Sequence, residues 1–262
     1  MLTDPVPTDP DLRAQAQIDL NADLGEGLAP DGDEALLGVV TSASVACGFH
    51  AGDPHIMRAT CATAARQGVR LGAHVGYDDR EGFGRRELDL PAERVTEDAV
   101  YQIGALIACA RAEGTTARYV KLHGALYGRA NRDAALALAL ATAIGAVAPT
   151  LEVMTAPGSA LATAAARLGL GVIAEGFADR GYAADGTLLA RSDPAAVLGP
   201  DAAARQAVRI VTRGDVKTAG GGSLTLRVRS LCIHGDTPGA LEVARAVRDA
   251  LGAAGVRIAA GS

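Results

Sequence analysis

Four of the chain's five histidines stand where a short apolar run breaks off beside a glycine. They are His50 in Ala43-Ser44-Val45-Ala46-Cys47-Gly48-Phe49-His50, His74 in Leu71-Gly72-Ala73-His74-Val75-Gly76, His123 in Tyr119-Val120-Lys121-Leu122-His123-Gly124, and His234 in Leu231-Cys232-Ile233-His234-Gly235-Asp236. Burying imidazoles and carboxylates is costly unless they pair with each other or with a ligand. A lone histidine on an apolar run is usually a satisfied core residue, but four in equivalent places point to one shared site. Two chemistries suit such a cluster. One is metal-assisted hydrolysis, with Asp23, His74 and His123 as a carboxylate-plus-two-imidazole set for Zn²⁺ or a similar ion. The other is metal-free acid–base work on a small polar substrate, with Asp or Glu as base, His as acid, and Lys or Arg on anionic groups. No H-E-x-x-H pair occurs, so spacing alone assigns no metal.

The elements that must bring these residues together can be read from the apolar periodicity. Strands are expected near 17–20, 43–47, 69–74, 118–123, 151–155, 172–175 and 229–233, with a short final one at 256–259. Helices are expected near 33–40, 53–67, 91–113, 132–147, 159–169, 194–213 and 237–251, and residues 216–228 read as a hairpin. Residues 21–27 read as an acidic loop after the first strand. Asp53-Pro54 has the form of an N-cap followed by proline at the first helical position, with Gly68 as the stop. Asp193, Asp236, Tyr77 and Tyr127 also have plain structural readings, as helix caps and loop packing.

The order β-α, repeated about seven times with continuous apolar strands, implies a parallel sheet covered by helices. Seven units without a linker favour a distorted seven-stranded (β/α) barrel over the alternative, a doubly wound sheet. In either fold, functional loops lie beyond the carboxyl ends of the strands, where the histidines fall. Residues 16–262 are expected to form this one domain, and the Pro- and Asp-rich residues 1–15 a flexible tail. Two long loops, 76–90 and 176–193, carry arginines and carboxylates and read as lids or substrate clamps rather than idle surface.

The 262 residues are 49% hydrophobic but only 3% aromatic, so the core must be built from Ala, Val, Leu and Ile. A net charge of −5 argues against nucleic-acid or anionic-membrane partners. Four scattered cysteines without a C-x-x-C pair read as core or site-wall thiols of a reducing compartment. With no signal-like start and no apolar run of ~20 residues, a cytoplasmic protein is expected. Gly220-Gly221-Gly222-Ser223 is followed by no lysine, so no phosphate loop of the Walker type is present, and no G-x-S-x-G nucleophile elbow occurs.

Taken in order, the motifs resemble the LamB/YcsF family, the A subunit of the bacterial ATP-hydrolysing 5-oxoprolinase. The resemblance rests on Asp19-Leu20-Asn21-Ala22-Asp23-Leu24-Gly25-Glu26, the run from Ser44 to Pro54, Gly72-Ala73-His74-Val75-Gly76-Tyr77, Gly82-Phe83-Gly84-Arg85-Arg86, the run from Lys121 to Tyr127, Glu175-Gly176-Phe177-Ala178-Asp179-Arg180, and His234-Gly235-Asp236-Thr237-Pro238-Gly239-Ala240. It covers about residues 18–255. The family often has proline where Val75 and Leu122 stand and asparagine where Ser44 stands. None of these departures touches an ionisable group.

The resemblance implies a barrel of the glycoside hydrolase/deacetylase type. It implies opening of 5-oxo-L-proline to L-glutamate with ATP cleaved to ADP and phosphate, and two partner subunits, B and C, which share or carry the ATP handling. Asp23, Glu26, His74, Lys121 and His123 are the expected catalytic set. Asp23 or Glu26 would activate water, His74 or His123 would move the proton, and Lys121 would face developing oxyanion charge. Asn21, His50, Asp53, Tyr77, Arg85, Arg86, Tyr127, Glu175, Asp179, Arg180, His234 and Asp236 are expected to line the substrate site. Arg85, Arg86 or Arg180 would take a carboxylate or phosphate. No metal is assigned; if an ion is held, Asp23, His74 and His123 are the expected ligands. Two other readings stay open: a stand-alone metal-dependent deacetylase or amidohydrolase, and a non-catalytic oxoproline-binding subunit.

Overall fold

The computed structural model describes residues 17–27 and 30–261. The expected tail at 1–15 lies outside the described residues. Seven parallel strands close on themselves: β1 (Gln17–Leu24), β2 (Ser42–Ala46), β3 (Arg70–Val75), β4 (Ala117–Leu122), β5 (Glu152–Thr155), β6 (Val172–Phe177) and β9 (Ser230–His234). Closure is made by β9, which pairs with both β6 and β1 and sets Asp23 opposite His234. Between β6 and β9 the small antiparallel pair β7 (Asp215–Lys217) and β8 (Ser223–Thr225) forms the expected hairpin. The short β10 (Arg257–Ile258) adds to the start of β1, beneath the barrel.

Among the described residues, eight helices surround the strands: α1 (Pro30–Leu37), α2 (Pro54–Gln67), α3 (Ala92–Ala112), α4 (Gly124–Arg132), α5 (Ala134–Val147), α6 (Ala160–Arg167), α7 (Pro200–Arg213) and α8 (Ala240–Ala253). The α2 boundaries follow the expected chemistry. Asp53 caps the helix by accepting from the Ile56 amide, Pro54 takes the first position, and Gly68 ends the helix in the left-handed region. No single described helix is long and apolar enough to cross a membrane.

Alternation along each strand gives the barrel two different faces. Ile18, Leu20, Ala22 and Leu24 of β1 join the main apolar core with residues such as Val120, Leu122 and Leu231. The intervening side chains meet inside the barrel, and most of them are polar. Asp19, at the lower end, accepts from Thr41 and Ser42 at 2.7 Å and from Ser230. Above it Asn21 donates to Glu175 and Ser230, and Ser44 meets the Tyr119 hydroxyl at 3.1 Å. Three hydroxyls thus satisfy the buried Asp19 carboxylate, as burial of such a group requires.

Three expectations need correction. Residues 21–24 continue β1 instead of looping, so Asn21 and Asp23 are strand residues. A separate helix, α4, follows β4 at once. Its GALYGRANR sequence has two glycines and weak intrinsic helicity, but buried Leu126 and Ala130 and a bond from the Ala125 amide to the Gly84 carbonyl fix it. The helix expected from 194 begins at Pro200, with Gly199 before it. Asp193 caps only a local turn, through the Ala195 amide.

Candidate active site at the barrel mouth

Two polar clusters occupy the carboxyl ends of the strands. The first centres on Lys121 of β4, whose side chain is 2% exposed. Its Nζ lies 2.8 Å from Asp23 Oδ1, 2.7 Å from Glu175 Oε1, 3.3 Å from Asn21 Oδ1 and 3.0 Å from Cys232 Sγ. Burial opposes the Lys121 charge, but Asp23, Cys232 and Glu175 outweigh it and hold its pKa well above the usual lysine value. Burial likewise pushes Asp23 up, yet the facing His74 and Lys121 hold it well below the usual carboxylate range. Glu175 is raised, because its burial exceeds what Lys121 returns. Lys121 is therefore fully engaged within the protein. It sets the charge and position of Asp23.

The second cluster is the imidazoles. His123 Nδ1 lies 2.9 Å from His74 Nε2, and His50 stacks on His123 with ring centroids 3.9 Å apart. His74 Nε2 also stands 3.4 Å from Asp23 Oδ2, which links the two clusters. Glu26 Oε1 is 3.7 Å from His50 Nε2 and 3.9 Å from His123 Nδ1. Burial, together with the neighbouring histidines, lowers the pKa of His50 and of His123 well below the ordinary value, so both rings are neutral. Burial, with the charges of Asp23 and Asp236, raises Glu26 well above the usual range.

The loop expected as a lid, 76–90, is packed over this end of the barrel. Phe83 places its carbonyl 2.8 Å from His123 Nε2, and Arg80 reaches the Gly48 and Gly52 carbonyls. Arg85 pairs with Asp236, which also takes Arg191 at 3.1 Å. Burial opposes the Asp236 charge, and Arg191 and Arg85 overcome it and lower its pKa. Asp236 therefore binds the two long loops together and does not cap α8. On the other side Asp179 accepts from both the His234 amide and its Nδ1, at 2.9 and 3.1 Å. These contacts overcome burial and lower the Asp179 pKa.

Not every expected residue faces this space. Asp53 is an exposed helix cap. Arg86 turns outward, 59% exposed, onto Asp79 and Glu81. Arg180 is buried, with Nε on the Ala196 carbonyl and an NH2 group on that of Leu189, so it holds the loop and has little left for a substrate. Tyr77 is a core residue whose hydroxyl is 3.5 Å from Arg129, itself bound to the Leu88 and Leu90 carbonyls. Tyr127 stands edge-on to Phe177, with its hydroxyl buried and without a partner among the described residues. Asn21, His50, Glu175, His234 and Asp236 do converge on the mouth.

Two residues left out of the expected site set are Cys232, read only as a core or site-wall thiol, which touches Lys121, and Arg191, read only as part of a clamp loop, which doubles Arg85 on Asp236. The inward position of Cys232, two residues before His234, was a usable signal. Ligand atoms of Glu26, His50, His74 and His123 lie within 4.8 Å of one another, as do those of Asp23, Cys232 and His234. The Asp23, His74 and His123 set is thus divided between two groups, with Glu26 and His50 in the place expected for Asp23.

Such a mouth supplies both an ionised and a protonatable carboxyl, neutral imidazoles and a guanidinium rim, the parts needed for proton transfer at a small anionic substrate. Known proteins agree closely with this arrangement of the whole chain. The A subunit of 5-oxoprolinase from Mycobacterium avium (strain 104) is 51% identical over 249 residues, covering 94% of this chain and 99% of that one. That of Streptomyces avermitilis is 51% identical over 247 residues, 93% and 99% of the two chains. The crystal structure of the lactam utilization protein from Thermus thermophilus superposes with a TM-score of 0.86 at 44% identity, over 94% of this chain and all of that one. The profile that matches residues 18–262, and so takes in every strand of the barrel and both polar clusters, is that of the LamB/YcsF family, to which this chain belongs.

Proposed function

We propose that the chain is the A subunit of a 5-oxoprolinase that opens the lactam of 5-oxo-L-proline to L-glutamate, driven by cleavage of ATP to ADP and phosphate, and working with subunits B and C. The observation that carries the reading is the divergence of two carboxyls at one mouth. Asp23 is held ionised and Glu26 is held protonatable, and groups pushed apart in this way take different roles in acid–base chemistry. The names of relatives about half identical over nearly the whole chain supply the substrate.

A five-membered lactam is a stable amide that water attacks slowly. Phosphorylation of its amide oxygen by ATP makes the ring carbon electrophilic. Water then adds to that carbon, the ring nitrogen takes a proton as the C–N bond breaks, and a second water releases the phosphoryl group as phosphate. Glu26 is the carboxyl suited to accept the proton of the attacking water, beside the neutral rings of His50 and His123. Asp179 orients His234 at the far side. Arg85, 36% exposed at the rim, faces the substrate carboxylate or a phosphate. Lys121 acts indirectly, by keeping Asp23 charged beside His74.

The test is reconstitution. The purified chain is mixed with B and C, and oxoproline-dependent glutamate and phosphate release are followed while each component is omitted in turn. Release should need this chain, and Glu26→Gln should reduce the rate about 10²–10⁴-fold, the span of general acid–base catalysis. Glutamate release that proceeds without this chain would end the proposal.

A further inference from the structure

We infer that His50, His74 and His123 form a site for a single divalent transition-metal ion of the zinc class, with Glu26 beside its open fourth position. The inference goes beyond the lactamase reading and does not depend on it.

The buried nitrogens carry the argument. His123 Nε2 lies 2.8 Å from the Phe83 carbonyl, which can only accept, so this nitrogen carries the proton and Nδ1 presents its lone pair to the cluster. A ligating histidine is held in this way, with its other N–H donated to a backbone carbonyl. The carbonyl is placed deliberately: Phe83 has φ of 53°, the only positive value outside glycine among the described residues. His50 is 1% exposed, yet neither of its ring nitrogens has a hydrogen-bond partner among the described residues, and His74 Nδ1 has none either. Buried polar atoms are nearly always paired. An ion takes one nitrogen from each ring, so it would satisfy one of the two unpaired nitrogens of His50; the ligand atoms offered by Glu26, His50, His74 and His123 lie within 4.8 Å of one another, and a cation brings no hydrogen-bonding demand of its own.

The backbone is shaped to the rings. A Cβ at Gly76 would lie 2.4 Å from His50 Nδ1, and one at Gly84 would lie 2.8 Å from His50 Cβ and 2.9 Å from His123 Cδ2. Three imidazoles suit a borderline ion such as Zn²⁺ or Co²⁺ better than Mg²⁺ or Ca²⁺, which take oxygen ligands. Glu26 Oε1 stands 3.7–3.9 Å from the two nearest ring nitrogens. That is somewhat wider than the ~3.3 Å edge of a tetrahedron with metal–nitrogen bonds of ~2.05 Å. Glu26 therefore adjoins the fourth position and leaves it to water or to a substrate oxygen. Asp23 gives Oδ1 to Lys121 and groups with Cys232 and His234 instead of with these rings.

The test uses the full chain alone, stripped with chelator, so its result does not depend on substrate, ATP or partners. Titration calorimetry with Zn²⁺ and the visible spectrum with Co²⁺ are the readouts. One equivalent of each should bind, with Co²⁺ giving the strong absorption of a four-coordinate site. His50→Ala should weaken Zn²⁺ binding at least 100-fold. Glu26→Gln, which removes no hydrogen bond among the described residues, should weaken it about tenfold and shift the Co²⁺ bands. His55→Ala, an exposed histidine on α2, should bind like the native chain. Substoichiometric binding, or folded His50→Ala and Glu26→Gln chains that bind as the native chain does, would overturn the inference.

Discussion

Replacing Lys121 with methionine tests how the two clusters are held. The change keeps most of the side-chain stem and removes the ammonium that joins Asn21, Asp23, Glu175 and Cys232. Lys121 and Glu175 are essentially inaccessible and Asp23 nearly so, so water cannot replace the lost partner. Breaking a buried ion pair from one side costs about 3–5 kcal/mol, because the remaining charge is left unpaired. Glu175 can relieve its own share by taking a proton, since burial already raises its pKa. Among the described residues Asp23 keeps only His74, at 3.4 Å, as a partner of opposite character. At ~2–4 °C per kcal/mol for chains approaching this size, the melting temperature should fall by roughly 6–20 °C.

Paired substitutions separate this effect from simple loss of packing. Lys121→Met combined with Asp23→Asn removes both ends of the pair. Its cost should fall short of the sum of the single costs by about 2–3 kcal/mol, the range of strongly coupled neighbours. Urea and thermal unfolding followed by far-UV circular dichroism give all three values. Full additivity, or a Lys121→Met chain within about 1 kcal/mol of the native one as for an exposed pair, would refute the account of Lys121 as the charge holder of the mouth.

Other outcomes follow from the same geometry. The Asp179 carboxyl is lowered in the folded chain by His234, so its contribution is present above the ordinary aspartate value and is lost as pH falls through the lowered one; Asp179→Asn should remove that part of the stability difference between about pH 6 and pH 3 in unfolding curves. Gly84→Ala places a methyl against His50 and His123 at a residue with φ of 63°, and should impair oxoproline turnover at least tenfold while the barrel still folds. Arg180→Met leaves the Leu189 carbonyl without its side-chain donor and removes one of two donors to the Ala196 carbonyl, which keeps the Gly181 amide; it should cost about 1–3 kcal/mol and raise amide exchange in 181–198, with a smaller effect on turnover than Arg85→Met, which acts at the rim.

The barrel was legible because its signal is repeated. Most strands are largely apolar runs, most helix starts carry a proline, aspartate or serine, and the same order recurs. The convergence of His50, His74, His123 and His234 followed from topology, since parallel strands in a closed sheet bring their carboxyl ends together. What failed was local. α4 is short, carries two glycines and is held by a carbonyl from another loop, which no window of sequence contains. The start of α7 was misplaced because Pro194 and Pro200 give the same signal, and only packing decides between them. The arginines could not be sorted by sequence at all. Arg85, Arg86 and Arg180 sit in loops of the same composition, yet one reaches the rim, one turns to solvent and one is spent on carbonyls.

The hardest distinction lay within a single motif. Asp23 and Glu26 are three residues apart and of the same chemical type, so either served equally well as the expected base. Their separation is a matter of backbone. Asp23 is an inward position of β1, opposite His234, and there it meets Lys121. Gly25 then takes φ of 72° and breaks the strand alternation, which carries Glu26 away from the ammonium and toward His50 and His123. One carboxyl is thereby kept charged and the other is kept protonatable. His74, 3.4 Å from Asp23 and 2.9 Å from His123, is the imidazole in direct contact with both clusters. A change that uncouples the two clusters, such as His74→Gln, should therefore leave the Lys121 pair intact and its stability contribution in place, while abolishing the communication that lets Asp23 steady the imidazoles. Stability and turnover would then part company at His74, whereas at Lys121 they should fall together.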